Sequence, residues 1–398
     1  MANKNIPQLR FAGFDGEWER SYIYDIASRR KIINTGLQET NLLSLSYGKI
    51  KRKDIKTTKG LLPTSYETYQ IVEDGTIVFR FTDMQNDQTS LRVGLSKERG
   101  IVSSAYVCVD GNPKLVNADY LNWVLHYYDL QKVYYKMGAG IRQSINAEDL
   151  KELIVKLPSL SEQIQLAECC DQLDKTILAQ QKKCDELRTL KSSLLDKLFP
   201  KAGCNVPEMR LEGFYGEWSE IALSEIFAII SEKGYPYLPI LSASQELGMI
   251  YRSENGIDMS YGTQNVAGYK RVLPGQYVIH LRSFQGGFAH SSIEGITSPA
   301  YTILKFKEPG QHDEMFWKYL LMSDTFVKML ECVTYGIRDG KSIKFEDVSK
   351  LMIMIPGYEE QREIAGLFTT YYTLISLNEN KLSHLNRIKS AMLDKLFV

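Results

Sequence analysis

No charge of either sign predominates in this 398-residue chain: 48 Lys and Arg stand against 48 Asp and Glu, a formal net charge of zero. No global basic excess therefore marks it for nucleic acid, although local patches decide that question. No apolar run approaches the ~18 residues of a membrane span, and the opening MANKNIPQLR lacks the apolar stretch of a secretory signal. A cytoplasmic location is expected. The six cysteines (108, 169, 170, 184, 204 and 332) include no CxxC pair. That argues against a zinc or disulfide framework and for small core residues in a reducing compartment.

Catalytic signatures are missing too. None of the five histidines lies in an HExxH motif. Pro-Pro occurs nowhere, which excludes the (N/D)PPY motor of amino-methyltransferases, and no Pro-Asp dipeptide opens a common nuclease motif. A glycine-rich dinucleotide fingerprint is absent. The string GIRDGKS at 336–342 resembles a phosphate loop, but three residues separate its glycines where that loop needs four. Its echo GAGIRQS at 138–144 lacks the lysine, so a shared backbone turn explains both. The chain is expected to do no chemistry alone and to bind no metal or cofactor itself.

What is present is duplication. PQLRFAGFDGEW at 7–18 returns as PEMRLEGFYGEW at 207–218, with seven of twelve positions identical. Leu45-Ser46 starts a segment that returns at Leu241-Ser242, and the strand-like TIVFRF after Gly75 is matched by QYVIHLR after Gly275. GIVSSAYVCV from Gly100 echoes GITSPAYTILKF from Gly295, and GIRQSI from Gly140 echoes GIRDGKSI from Gly336. Each of the last pair is followed by a short helical pattern ending in a proline. Short β runs mixed with helical patches at 120–137 and 313–331 predict an α+β head, present twice.

The two copies agree best in a long helical stretch, which ends in LDKLF both times. A heptad on the first copy puts Leu166, Leu173, Gln180, Leu187 and Leu194 on one seam line and Cys170, Ile177, Cys184, Lys191 and Leu198 on the other. The second keeps register with Ile364, Tyr371, Asn378, Leu385 and Met392, and with Phe368, Ile375, Leu382, Lys389 and Leu396. Alternating 3 and 4 spacing is the coiled-coil pattern, and polar intrusions fix partner and register. Ser159 and Glu162 have the spacing of a capping box, Gly357 and Glu360 stand at the matching positions, and Pro200 stops the first helix. Two similar heads separated by two long antiparallel coiled-coil helices, related by an internal pseudo-twofold, are the expected fold.

Candidate binding residues follow from charge and loop chemistry. KIKRKDIKTTK at 49–59 carries six basic residues against one acidic. Lys51, Arg52 and Lys53 suit phosphate contacts, though a solvated loop explains such a run equally. The second head offers Arg252, Lys270 and Arg271. The loop from Arg80, with Gln85 and Arg92, and the loop from Arg282, with Gln285, hold the side chains that pair with guanine and adenine edges. Strand-connecting loops are also polar for no such reason. Arg142 and Arg338, each after Gly-Ile, and Lys341 complete the set as phosphate contacts or structural ion pairs. Trp18 and Trp218 in the repeated tag read as core anchors.

Taken together, the doubled head-and-helix order, the LPxLxEQ lead-in and the LDKLF ending resemble the DNA specificity (S) subunit of type I restriction–modification systems. Pro158, Glu162 and Gln163 with Pro356, Glu360 and Gln361, the paired GEW tags and the two SxAY segments carry the resemblance, which covers nearly the whole chain. It implies target recognition domains at 1–156 and 201–354, each reading one half of a bipartite asymmetric DNA site. It also implies spacer helices at 157–200 and 355–398 that set the gap. Two methyltransferase (modification) subunits using S-adenosylmethionine, and two restriction/translocase subunits using ATP and Mg, would be the partners and hold every cofactor. A rival reading is a coiled-coil scaffold whose heads bind proteins or small molecules.

Overall fold

The computed structural model describes residues 5–56, 63, 65–81, 84, 91–137, 145–244, 247–254, 266–280, 287–333 and 345–397. The chain divides into two compact units, Met1–Gln181 with Lys381–Val398, and Lys182–Asn380. These cuts fall inside both long helices, so each unit is a head plus part of each helix.

The first head is built on a four-stranded antiparallel sheet in the order Ala27–Arg30, Val107–Gly111, Thr76–Phe79, Val93–Leu95. All four residues of the inner strand Thr76–Phe79 are buried. Side chains alternate across a strand. Ile77 and Phe79 therefore enter the main core with Trp18, Val109 and Tyr120, while Val78 and Cys108 enter a smaller one with Leu43, Val72 and Val102. A strand covered on both faces needs a continuous apolar run, and TIVF supplies it. The helix Ala118–Leu130 begins where the Asn117 side chain accepts the Tyr120 N–H at 2.9 Å. It closes the main core with Leu121, Val124 and Leu125.

The second head repeats this topology with Phe227–Ile230, Thr302–Phe306, Tyr277–Ile279 and Phe288–His290. Tyr277 and Ile279 face its main core and Val278 its smaller one. Asp313 caps the helix Glu314–Leu321. The stretch before each lead-in proline differs from the expected helical pattern. After a single turn (Asp149–Glu152, Phe345–Val348) comes a strand, Ile154–Leu157 or Met352–Ile355, paired with Glu19–Tyr22 or Ser219–Ala222. Its alternation seats Val155 and Leu157, or Ile353 and Ile355, in the core.

The long helices run Leu160–Lys197 and Tyr358–Leu396, 38 and 39 residues. Every expected seam residue is covered. Leu166, Ile364, Ile375 and Leu396 are buried, and Leu173, Ile177, Leu187, Leu194, Leu382 and Leu385 are half-buried. The matched polar positions have a physical basis as well. Lys389 pairs with Asp174 and places its Nζ 5.0 Å from the Trp123 ring centre, and Lys191 lies 4.5 Å from that of Tyr372.

Within the first unit the start of the central helix and the end of the C-terminal helix meet, running antiparallel. Leu166, Ala167 and Cys170 share the head's core with Leu393, Leu396 and Phe397. Leu9 N–H donates to the Lys395 carbonyl at 3.0 Å, and the Phe397 ring lies 6.1 Å from Tyr120. The second unit repeats this in itself. Ile364, Ala365 and Phe368 meet Leu198 and Phe199, Met209 N–H donates to the Lys197 carbonyl at 2.9 Å, and Phe199 lies 6.3 Å from Trp218. The LDKLF ending is thus a core plug, and each head receives the one that follows the other head in sequence.

Lead-ins are clamped with equal regularity. Arg10 grips Glu162 by two bonds of 2.8 and 2.7 Å, and Arg210 grips Glu360 by two of 2.9 and 2.8 Å. Gln163 accepts the Asn117 N–H at 2.9 Å and donates to the Pro158 carbonyl at 3.0 Å; Gln361 does the same with Asp313 and Pro356 at 3.1 and 3.0 Å. Only half of the expected capping box therefore forms. Glu162 N–H reaches Ser159 Oγ at 3.4 Å, but its carboxylate is taken by Arg10.

Burying a Leu or Phe side chain is worth about 1.5–3 kcal/mol, so losing Leu393, Leu396 and Phe397 together exceeds what one head can spare. A chain ended at Asn380 is expected to unfold the first head while the second stays folded. Peptide-resolved hydrogen exchange would show this as fast exchange across Thr76–Phe79 beside continued protection of Tyr277–Ile279. Equal protection of both strands would show that the plug is dispensable.

Candidate nucleic-acid interface

The basic run opens on a hairpin, Leu43–Ser46 paired with Lys49–Arg52. Its two-residue turn, Tyr47-Gly48, has φ of 49° and 74°, the left-handed pair that tight hairpins need. Glycine is required at the second position, because a Cβ on Gly48 would stand 2.9 Å from Leu91 and 3.1 Å from His126. The turn is thereby pressed onto the head. Lys51 and Lys53 are exposed, with no ion pair among the described residues. Arg52 differs: its guanidinium is held by Glu98, with Nε 2.7 Å from one carboxylate oxygen.

The remaining candidates divide by environment. Arg80 follows the inner strand, is half-buried, and donates its backbone N–H to the Arg92 carbonyl at 2.8 Å. Arg92 is a correction. It is fully buried, and its backbone N–H donates to Asp129, so it belongs to the head's interior and not to a DNA-facing surface. Burial in turn pushes the Asp129 carboxyl up to about 6, against the opposing pull of the Arg92 N–H.

In the second head Arg271 is likewise engaged internally. It pairs with Glu294 at 2.6 Å and Glu232 at 3.3 Å and lies 4.4 Å from the Tyr235 ring centre. Lys270 donates to the Tyr301 carbonyl at 2.6 Å, and burial lowers its pKa. Neither offers a free cation to a phosphate. Arg252 is half-buried at the end of the matching hairpin. Gln85, Arg142, Arg282, Gln285, Arg338 and Lys341 lie outside the described residues.

The sequence reading passed over Arg10, Arg210, Trp123 and Asp171, although they set how each head meets its helices. Trp123 Nε1 donates to Asp171 at 2.7 Å. The signal for the arginines was available, since PxxR recurs in the tag wherever EQ recurs in the lead-in, but only the fold shows that they pair. Cysteine chemistry plays no part at these joints: five described cysteines are free thiols, and burial pushes Cys108 and Cys170 up to about 12. No described helix is long and apolar enough to cross a membrane.

Comparison with known proteins gives one consistent answer. Residues 16–189 match the type I restriction modification DNA specificity domain. The type I restriction enzyme MjaVIII specificity subunit of Methanocaldococcus jannaschii is 24% identical over 330 residues, covering 75% of this chain and 74% of that one. Among solved structures, the S subunit of a type I restriction–modification system from M. genitalium superposes with a TM-score of 0.58 at 16% identity, over 98% of this chain and 99% of that one. A chain from a study of complex assembly in a type I R-M system gives 0.52 at 17% identity, over 96% and 98%.

His126 beneath the hairpin supplies a test of its seating. Its Nε2 lies 2.7 Å from the Val93 carbonyl, and burial lowers its pKa to about 4, the Val93 bond opposing. The folded head therefore holds a neutral imidazole while the unfolded chain takes a proton near pH 6.5. That contribution is intact above pH 6.5 and is lost as pH falls toward 4, with a slope approaching about 1.4 kcal/mol per pH unit. His126→Gln, which keeps a side-chain N–H, is expected to flatten the fall in melting temperature between pH 6.5 and 4.5. An unchanged profile would place the acid sensitivity elsewhere.

Proposed function

We infer, for a chain related to the specificity subunits of type I restriction–modification systems, that it is the sequence-specific DNA-recognition subunit of such a complex. One observation carries this: a type I DNA specificity domain at 16–189 in a chain whose head and helix are built twice. Each head reads one half of a bipartite, asymmetric target. The heads keep one sheet topology and one clamp, and they differ in the solvent-facing side chains, as two different half-sites demand. A scaffold that binds proteins or small molecules receives no support from the comparisons.

The long helices fix the gap between half-sites and carry the partner subunits. Their outward surfaces support the second role. Ile164, Leu178, Leu190, Leu374, Leu377 and Ile388 are 37–60% exposed, more apolar surface than two solvated helices need. In this proposal two modification subunits dock there and methylate adenine with S-adenosylmethionine, and two restriction subunits supply ATP- and Mg-dependent translocation. Every reacting group and cofactor then belongs to the partners, and the complex works in the cytoplasm.

Co-expression with a type I modification subunit from the same genome, in a methylation-free host, tests the reading. Long-read mapping is expected to show methylated adenines in one two-part motif with a fixed gap. A soluble, assembled complex that leaves the host DNA unmodified would overturn it.

A further inference from the structure

The hairpin Leu43–Ser46/Lys49–Arg52 has two unlike faces. Residues directly opposite in an antiparallel pair share a face. Leu45 opposite Ile50 and Leu43 opposite Arg52 turn toward the head, where Leu43 and Leu45 are buried and Arg52 meets Glu98. Ser46 opposite Lys49 and Ser44 opposite Lys51 turn outward. Lys53, exposed two residues beyond Lys51, extends the row. This outward face holds three ammonium groups and two hydroxyls, and none of the three lysines has an ion pair among the described residues.

At its tip stands Tyr47, 71% exposed at φ 49°. A bulky side chain in the left-handed region is an outlier that asparagine or glycine would relieve. Among the described residues the ring joins none of the buried clusters. Gly48 beside it leaves no room for a Cβ against Leu91 and His126, so the turn lies close on the head. A two-stranded ribbon of this kind fits the major groove of duplex DNA.

The second head has the same hairpin with another surface. Leu241–Ser244 pairs with Gly248–Tyr251, and its outward pairs are Ser242 with Ile250 and Ser244 with Gly248. The serines stay where they are in the first head, and the two lysines that face them there are replaced by isoleucine and glycine.

We propose that the outward face of the first head's hairpin grips duplex DNA, with Lys49, Lys51 and Lys53 on phosphates and Tyr47 entering the groove as a specificity contact. The matching hairpin of the second head reads its half-site without such a grip. Arg52 leaves the set of phosphate contacts and Lys49 joins it. This rests on the DNA-recognition reading above and adds to it an order: the first head carries most of the salt-dependent affinity.

The test uses the assembled complex with its modification subunits, titrated onto a duplex bearing the mapped target from 50 to 300 mM NaCl. Each phosphate contact contributes about 0.9 to the slope of log K against log salt. The triple variant Lys49→Ala, Lys51→Ala, Lys53→Ala is expected to lower that slope by about 2.7, on target and on unrelated duplex alike. Tyr47→Asn, suited to the turn, is expected to keep the slope and melting temperature while the methylated motif becomes degenerate within one half-site only. A triple variant with the wild-type slope overturns the grip, and a Tyr47→Asn complex with an unaltered motif overturns the groove contact. A wild-type complex that binds no duplex at all would sink the DNA-recognition reading itself, and this proposal with it.

Discussion

The fold depends on one constraint: neither head can close its core with its own contiguous sequence. Trp18, Tyr120 and Val155 leave a gap that Leu396 and Phe397 fill, and Trp218, Phe316 and Ile353 leave one that Leu198 and Phe199 fill. An exposed gap of that size would cost several kcal/mol, a large share of a domain's marginal stability. The two repeats are therefore obligate partners. This explains why LDKLF is the most faithfully repeated string in the chain while the hairpin faces diverge. A plug must fit a core whose anchoring aromatics recur, whereas an outward face answers only to its ligand.

Orientation needs more than burial, because apolar packing is not directional. The two Arg–Glu forks supply direction. Glu162 and Glu360 are 1% and 3% exposed, and a carboxylate so deeply buried tolerates no loss of its partner. Each fork joins the tag before the head to the helix after it, 152 and 150 residues on. Gln163 and Gln361 add bonds to the residue capping the head's own helix. The helix therefore leaves the head at an angle set by bonds of fixed geometry. That angle is what a spacer needs if it is to define a gap.

Periodicity made much of this legible in advance. The heptad on each long helix named seam residues that are all covered, and the repeats located both heads, both tags and both core tryptophans. What spacing alone cannot carry is the identity of a distant partner. Glu162 looked like the third residue of a capping box because that motif is local, and the half-buried Arg10 of the opening tag takes its carboxylate in place of the backbone. Arg92 looked like a base contact and Arg271 like a phosphate contact because charge was read without burial or counter-charge. The strands before Pro158 and Pro356 hid in four residues each, too short for their alternation to stand out from a helical pattern.

The even balance of charge is accompanied by pairing within the heads. In the first head Arg30 faces Asp110 and Glu73, and Arg99 faces Glu39 and Glu73; in the second, Arg271 faces Glu232 and Glu294. Cations spent on the head's own carboxylates add little to its field beyond a Debye length of roughly 8–10 Å. Non-specific affinity for DNA rises with the number of free cations that reach phosphate. Under the proposed reading, a head whose arginines are partly answered by its own carboxylates would bind random duplex weakly and draw its affinity from the cations left unpaired on its outward surface. If the hairpin grips DNA as proposed, neutrality elsewhere would leave a few side chains on it to set where such a subunit stops.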